Sequence, residues 1–359
     1  MSNSTLVLQE QPSYTNFINS LKSPETKEQY RKKLINFIEH YNVTLDGLLS
    51  LAPKDIEQMI IKYITNMNAK GLSRSYINLV MCAIFHFLDM NDVLLNKRKI
   101  SKFLGEPKKM NKDRAYTHEE IKQLVDTGDF RFRAIVLFLA ATGCRVGSLC
   151  SLEMHHLEKR GDVYKVTIYE NSRDEYIVFT TVEATQALDN YFTYRTRACE
   201  TIKPSSPVFR NDFNMNSIEK VRKNSLPIRV QTLKNIMYAR LLKAGLIEKS
   251  DKTVRDYQKR NIVPLSHGFR KFWMNQAVNS KLNPEIREMV LGHRIGIASS
   301  YYRPTEEEIR VEVEKAADLL TIDPTKRMAR KIERLEVERS EIQTLHYELE
   351  KLKKAINTK

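Results

Sequence analysis

Apolar residues recur at three- and four-residue intervals through much of the first hundred positions, the period of an amphipathic helix. Tyr30, Leu34, Phe37 and Ile38 form one such stripe, and Ser23-Pro-Glu-Thr-Lys ahead of it reads as a helix start with Ser23 or Thr26 as the cap. Ile56, Ile60, Tyr63 and Ile64 form a second stripe over 55–68, which Gly71-Leu-Ser ends. Ile77, Val80, Met81, Ile84, Phe85 and Leu88 predict a third, strongly apolar helix over 73–88. The pattern describes a small all-helical domain over 13–104, preceded by a polar, flexible N-terminus at 1–12.

The pattern changes further on. Thr117-His-Glu-Glu120 is a capping box, in which the threonine oxygen and the glutamate serve orphan amides at a helix start. An apolar helix follows over 132–141. Val163-Tyr-Lys-Val-Thr-Ile-Tyr169 and Glu175-Tyr-Ile-Val-Phe-Thr180 are rich in β-branched and aromatic residues and predict two strands, with 170–174 as the turn of a hairpin. Helical spacing returns over 183–196, 230–244, 269–279, 284–291 and 306–320. The expected fold is mainly α with a small antiparallel β-sheet (α+β), and the second domain spans 115–320. In the last segment, 321–359, Met328, Leu335, Ile342, Leu349 and Ile356 recur every seven residues, with Leu345 and Leu352 in the complementary seam position. Glu338 interrupts that seam. The repeat predicts a C-terminal coiled-coil helix; the competing reading is a single amphipathic helix folded back on the body.

Charge adds a partner. Fifty-nine Lys and Arg against 44 Asp and Glu give a net charge of +15, an excess that favours a polyanion because each neutralised phosphate releases counterions. From 97 to 114 the chain holds eight basic residues and two acidic ones, with Gly105 and Pro107 as breakers. The stretch 105–114 is expected to link the two domains. Lys97, Arg98, Lys99, Lys102, Lys108, Lys109 and Lys112 are the candidates for contact with a DNA backbone; the alternative is a solvated charged linker. The four cysteines form no CxxC pair, and Cys82, Cys144 and Cys150 sit in apolar runs, as expected of small buried residues in a reducing compartment. Their spacing builds no zinc site, and no metal or cofactor is expected. Without a signal-like N-terminus or an apolar run of ~20 residues, the expectation is a cytoplasmic protein with no membrane contact.

The candidate chemistry lies mostly in the last third. Thr142-Gly-Cys-Arg145, His267-Gly-Phe-Arg270, Leu291-Gly-His293 and Tyr302, nine residues after His293, supply two arginines, two histidines and a tyrosine. Arginine suits a transition state that gathers negative charge on phosphate oxygens, because it stays charged and presents forked donors. Tyrosine can displace an alcohol from a phosphodiester and leave again, but its pKa of about 10 calls for nearby positive charge or a base. His267 can exchange that proton near neutral pH, and His293 can donate to a phosphate oxygen. Each residue alone has a plain structural explanation: an ion-pair arginine, a capping histidine, a packing aromatic.

Taken in order, these motifs resemble the signature of the tyrosine recombinases (phage-type integrases) over roughly 14–318, and Tyr301-Tyr-Arg-Pro-Thr-Glu-Glu-Glu is most similar to integrases of archaeal mobile elements. The resemblance implies a helical core-binding domain and a catalytic domain that clamp double-stranded DNA. It implies four protomers on two DNA sites, in a prokaryotic, nucleoid-associated protein. Arg145 and Arg270 would then clamp the scissile phosphate, with His267 as general acid/base and His293 on a phosphate oxygen. Tyr302, rather than Tyr301, would be the nucleophile, forming a 3′-phosphotyrosyl intermediate without metal or ATP. Apart from the resemblance, the C-terminal heptads are themselves expected to promote self-association or regulate synapsis. Two positions depart from the family: Ser148 stands where an acidic residue is frequent, and the hairpin turn Glu170-Asn-Ser-Arg-Asp174 lacks the lysine that protonates the leaving 5′ oxygen. Arg173 in the turn and Lys165 in the preceding strand are the substitutes. The alternatives are a type IB topoisomerase-like relaxase and a non-catalytic architectural DNA-binding protein.

Overall fold

The computed structural model describes residues 11–106, 113–211, 217–223, 225–247, 265–294 and 301–357. The chain divides into two compact units, Met1–Met110 and Asn111–Lys359.

Among the described residues of the first unit, six helices surround one apolar core: α1 (Pro12–Asn19), α2 (Pro24–Tyr41), α3 (Leu45–Leu49), α4 (Pro53–Ala69), α5 (Arg74–Asp89) and α6 (Lys97–Ser101). Ser23, not Thr26, caps α2: its Oγ accepts from the Thr26 amide. Pro24 in the first turn has no N–H to leave unsatisfied there. Phe37, Ile56, Ile60, Ile64, Ile77, Ile84 and Phe87 are fully buried, so the three predicted stripes meet in one core. Each such side chain contributes roughly 1.5–3 kcal/mol of burial free energy. The basic stretch is not all linker. Lys97–Ser101 is helical, capped by Asn96, and Ile100 is buried in this core. That one apolar residue among lysines anchors the helix, a single-residue signal that charge counting overlooks.

The second unit is built around α8 (Phe130–Thr142), which is buried on all sides from Ala134 to Thr142. A helix apolar all round belongs in the middle of a domain. It packs against α7 (His118–Thr127), which starts with the predicted Thr117–Glu120 capping box. It also packs against α10 (Val182–Arg197) and α13 (His267–Asn279). The short α9 (Val146–Cys150) follows α8. The sheet has three antiparallel strands in the order β1-β2-β3: β1 (Leu157–Arg160), β2 (Val163–Ile168) and β3 (Tyr176–Phe179). Val166 faces Val178 across β2 and β3, and Lys165 faces Phe179. β1 was not expected from its sequence. Its residues, Leu-Glu-Lys-Arg, are largely exposed, so its ladder to β2 carries no apolar signature.

The remaining helices are α11 (Ile218–Lys223), α12 (Val230–Lys243), α14 (Pro284–Val290), α15 (Glu306–Glu314), α16 (Ala317–Leu320) and α17 (Pro324–Asn357). The single helix expected over 306–320 is thus two. A buried ionic network fastens the end of α10. Arg195 Nη2 lies 2.6 Å from Glu200 Oε1, and Arg210 Nη1 lies 2.7 Å from Glu200 Oε2. Burial opposes the Glu200 charge, but hydrogen bonds from Arg195, Arg210 and Ser225 outweigh it and hold the carboxyl at about 2. Among the described residues, no helix is long and apolar enough to cross a membrane.

Candidate active site

Three motifs far apart in sequence meet where α8 and α14 end and α13 begins. Gly143 ends α8 with φ +60°, and a Cβ there would lie 2.9 Å from the Cβ and Cγ of Trp273. Only glycine accepts both the left-handed backbone and this approach to α13. The chain then turns so that Arg145 becomes the N-cap residue of α9, its side chain exposed. Ser148 is buried and its Oγ donates to the Arg145 carbonyl at 2.6 Å. At the position where the family often has an acid, this chain therefore supports the backbone of Arg145. The Arg145 side chain is held by a different bond, from Nη1 to the Gly292 carbonyl at 3.3 Å.

Arg270 lies in the first turn of α13 and is 6% exposed. Its Nη1 donates to the Gly143 carbonyl at 3.0 Å, and its Nη2 donates to the Leu291 carbonyl and to His293 Nε2, the latter at 2.8 Å. One guanidinium thus joins the Thr142–Arg145 and Leu291–His293 motifs. Burial, and then the charge of Arg145, push its pKa down. It nevertheless remains a cation at any physiological pH.

The Leu291-Gly-His293 motif is a helix-ending device. Gly292 has φ +62°, its amide donates to the Met289 carbonyl at 2.8 Å, and the His293 amide donates to the Glu288 carbonyl at 2.9 Å. This is a Schellman cap on α14. A Cβ on Gly292 would lie 2.5 Å from Tyr176 Cε1, so the glycine also lets β3 approach. His293 Nδ1 sits 2.5 Å from Glu288 Oε2. A guanidinium can only donate, so Nε2 accepts from Arg270 and the Nδ1 proton points at Glu288. Sequence reading missed Glu288, although it lies on the last turn of the helix that presents the histidine.

His267 opens α13 and is exposed. Partial burial, then the charges of Lys271 and Arg270, lower its pKa, while Asp113 acts in the opposite sense. The neutral, proton-accepting imidazole is therefore favoured near neutral pH. Lys271 Nζ is itself paired with Asp113 Oδ1 at 2.6 Å, and Arg114 with Glu120 at 2.5 Å, so the end of the basic stretch is fastened to this unit.

Tyr302 is half-buried against the core of this unit, whereas Tyr301 is 86% exposed. Burial, then the charges of Glu308, Glu285 and Glu312, raise the pKa of Tyr302. Its electrostatic surroundings are acidic, and among the described residues no bond joins it to Arg145, Arg270 or either histidine. The structure thus brings together Arg145, Arg270 and His293 and places His267 three residues before Arg270 on the same helix, with no bond from Tyr302 to them among the described residues.

Arg173 is exposed in the β2–β3 turn. The same turn reaches the site side through an ion pair of 2.9 Å between Asp174 and Arg294, the residue after His293. Lys165 instead bonds Glu306 at 2.8 Å and Glu158 at 3.0 Å, and its pKa is raised chiefly by Glu306, so it holds its proton firmly. Among the described residues, only His155, His156 and Glu170 stand close enough to hold a metal ion, with ligand atoms within 4.8 Å. The Glu153 amide donates to His156 Nδ1 at 2.8 Å, which leaves the proton of the neutral ring on Nε2, toward Glu170. That nitrogen has no lone pair for a metal, and the group serves as a clasp on the start of the hairpin turn. Of the candidate DNA-backbone residues, Lys97 pairs with Asp89 at 2.5 Å and Lys99 with Glu57 at 2.9 Å. Arg98 and Lys102 are exposed. Lys108, Lys109 and Lys112 lie outside the described residues.

A helical body with a three-stranded sheet, carrying a buried arginine bonded to a histidine beside a second arginine, defines a phosphoryl-transfer domain of the DNA breaking and rejoining class. The chain belongs to the phage integrase family, whose model matches residues 114–308. It is 26% identical to tyrosine recombinase XerA of Pyrococcus furiosus over 290 residues, covering 78% of this chain and 88% of that protein. Among solved structures it is similar in fold to the Tn1549 transposon integrase in complex with transposon right end DNA. There the TM-score is 0.53 at 17% identity, over 87% of this chain and 97% of that one. XerH recombinase in its post-cleavage complex with a difH substrate gives a TM-score of 0.53 at 13% identity, over 80% and 77% of the two chains. A lambda integrase tetramer bound to a Holliday junction gives 0.52 at 12%, over 85% and 83%.

Proposed function

We propose that this protein is a site-specific DNA recombinase that cuts and rejoins duplex DNA through Tyr302. The observation that carries the reading is the Arg270 guanidinium, buried and bonded to Gly143, Leu291 and His293. A buried cation held only by neutral groups is costly unless an anion completes it. A scissile phosphate between Arg270 and Arg145 supplies that anion. The arginines then stabilise the charge that grows on its non-bridging oxygens, typically a few kcal/mol for each donor.

In the forward step Tyr302 Oη bonds to phosphorus, the bond from phosphorus to the 5′ oxygen breaks, and the 3′ phosphate stays on the enzyme as a tyrosyl ester. His267, neutral near pH 7, takes the phenol proton. The leaving 5′ oxygen takes a proton from water or from a group at the site. Arg173 stabilises charge there but is a poor proton donor, since a guanidinium holds its proton throughout. Lys165 is committed to Glu306 and Glu158. Attack of a 5′ hydroxyl on the ester reverses the step, so no metal or ATP is needed. The acidic surroundings of Tyr302 describe a resting position, and DNA binding must carry the residue to the arginines. Duplex DNA is the substrate, with Arg98 and Lys102 as backbone contacts in the helical unit. Assembly of four protomers on two sites parallels the lambda integrase tetramer.

The test is a nicked duplex whose cleaved end diffuses away, incubated with the wild type and with Tyr302→Phe. A covalent protein–DNA adduct from the wild type alone is expected. An equal adduct from Tyr302→Phe would remove the tyrosine from its role. Plasmid relaxation without two-site exchange would favour the topoisomerase-like reading.

A further inference from the structure

We propose that the C-terminal helix α17 pairs with α17 of a second copy of this chain as a parallel, in-register coiled coil. The first support is where the helix holds to its own body. Arg334 Nη1 lies 2.7 Å from Asp318 Oδ2, and Arg330 Nε lies 3.5 Å from Asp318 Oδ1. Ala329, Glu333 and Val337 line a groove facing the body. At 100° per residue these positions centre on one side of the helix, and Met328, Leu335 and Ile342 lie on the opposite side. That side is bare: Met328 is 60% exposed, Leu335 50%, Ile342 59%, Leu345 63% and Leu349 51%. The helix therefore does not fold its apolar stripe onto the body. The ion pairs hold it with the stripe turned outward.

The second support identifies the occupant. In the heptad register that puts Leu335, Ile342 and Leu349 at position a and Leu345 at d, the flanking charges are segregated. Beyond Glu338, position g carries Glu341 and Glu348 and position e carries Arg339, His346 and Lys353, whereas Arg334, at g ahead of the break, is paired with Asp318 of its own chain. In a parallel pair each g residue faces the e residue of the next heptad on the other copy. Glu341 then meets His346, and Glu348 meets Lys353. In an antiparallel pair g faces g and e faces e, setting acid against acid and base against base. Like charges so placed are destabilising. The sequence thus complements itself in one orientation only. β-Branched Ile342 at a with Leu345 at d favours two strands over three or four. Glu338, which breaks the seam, lies 3.6 Å from Arg334 of its own helix, so the contact starts beyond it, and by sequence it continues through Leu352 and Ile356.

Sedimentation of the full chain without DNA, at micromolar concentration, should give a dimer. Ile342→Asp with Leu349→Asp should weaken dimerisation at least tenfold while leaving the helical content of the body intact. Orientation is read by thiol cross-linking in a Cys199→Ser background, which removes the exposed native thiol. Ile342→Cys and Leu349→Cys, each as a single variant, should both cross-link to themselves, since in a parallel registered pair every seam residue faces its own copy. A monomer, or a dimer indifferent to the aspartates, would overturn the proposal. Cross-linking at one position alone would overturn the parallel orientation.

Discussion

The three bonds of Arg270 define what a substitution there should do. A lysine keeps the charge but cannot reach Gly143, Leu291 and His293 together, because it lacks the planar fork. Arg270→Lys is expected to fold and bind DNA while adduct formation falls by roughly 10²–10³, the usual loss for one preorganised donor. His267 yields a pH prediction. Its pKa lies below the ordinary value, first through burial and then through Lys271 and Arg270, so the proton-accepting form persists to more acidic pH than in a free histidine. Lys271→Met removes one positive charge and frees Asp113, and both changes favour the imidazolium. The acid limb of the cleavage-rate profile should therefore move to higher pH in that variant, and an unmoved limb would separate His267 from the proton transfer. That Arg145, Arg270 and His293 gather was legible from residue type and order. Glu288, Lys271, Asp113 and Tyr176 were not, because each acts through a contact that only the folded chain makes.

At the scale of elements, caps and periodic stripes were readable because each is local: Ser23, Thr117 and the apolar faces of α2, α4 and α5 depend on neighbours within a turn or two. β1 was not, since an exposed strand written in charged residues is specified by its partner β2 and not by its own pattern. The break between α15 and α16 at Lys315 and Ala316 likewise follows from packing, Ala316 being fully buried. The network around Glu200 gives a stability prediction. Glu200→Gln leaves Arg195 buried without its counter-charge, a change that typically costs about 3–5 kcal/mol. The folded-state pKa of Glu200 is depressed to about 2. Its contribution is therefore present above the unfolded carboxyl value of about 4.3 and lost as pH falls from there toward about 2. Acid titration of the denaturation midpoint should show the wild type losing this increment across that window, and Glu200→Gln lacking it.

For the whole molecule, two compact units and a long terminal helix divide the work. The second unit holds the cluster of Arg145, Arg270 and His293, the first carries exposed basic residues at its end, and α17 leaves an apolar stripe exposed. Cleavage needs both the arginine cluster and the tyrosine, and among the described residues the cluster is assembled while no bond joins Tyr302 to it. The identity of the attacking residue is therefore the central claim. It is tested by digesting the trapped protein–DNA adduct and locating the nucleotide-bearing peptide by mass spectrometry. The account predicts a single phosphotyrosyl nucleotide on Tyr302. Modification on the neighbouring, exposed Tyr301, or an adduct linked through the 5′ phosphate, would contradict it.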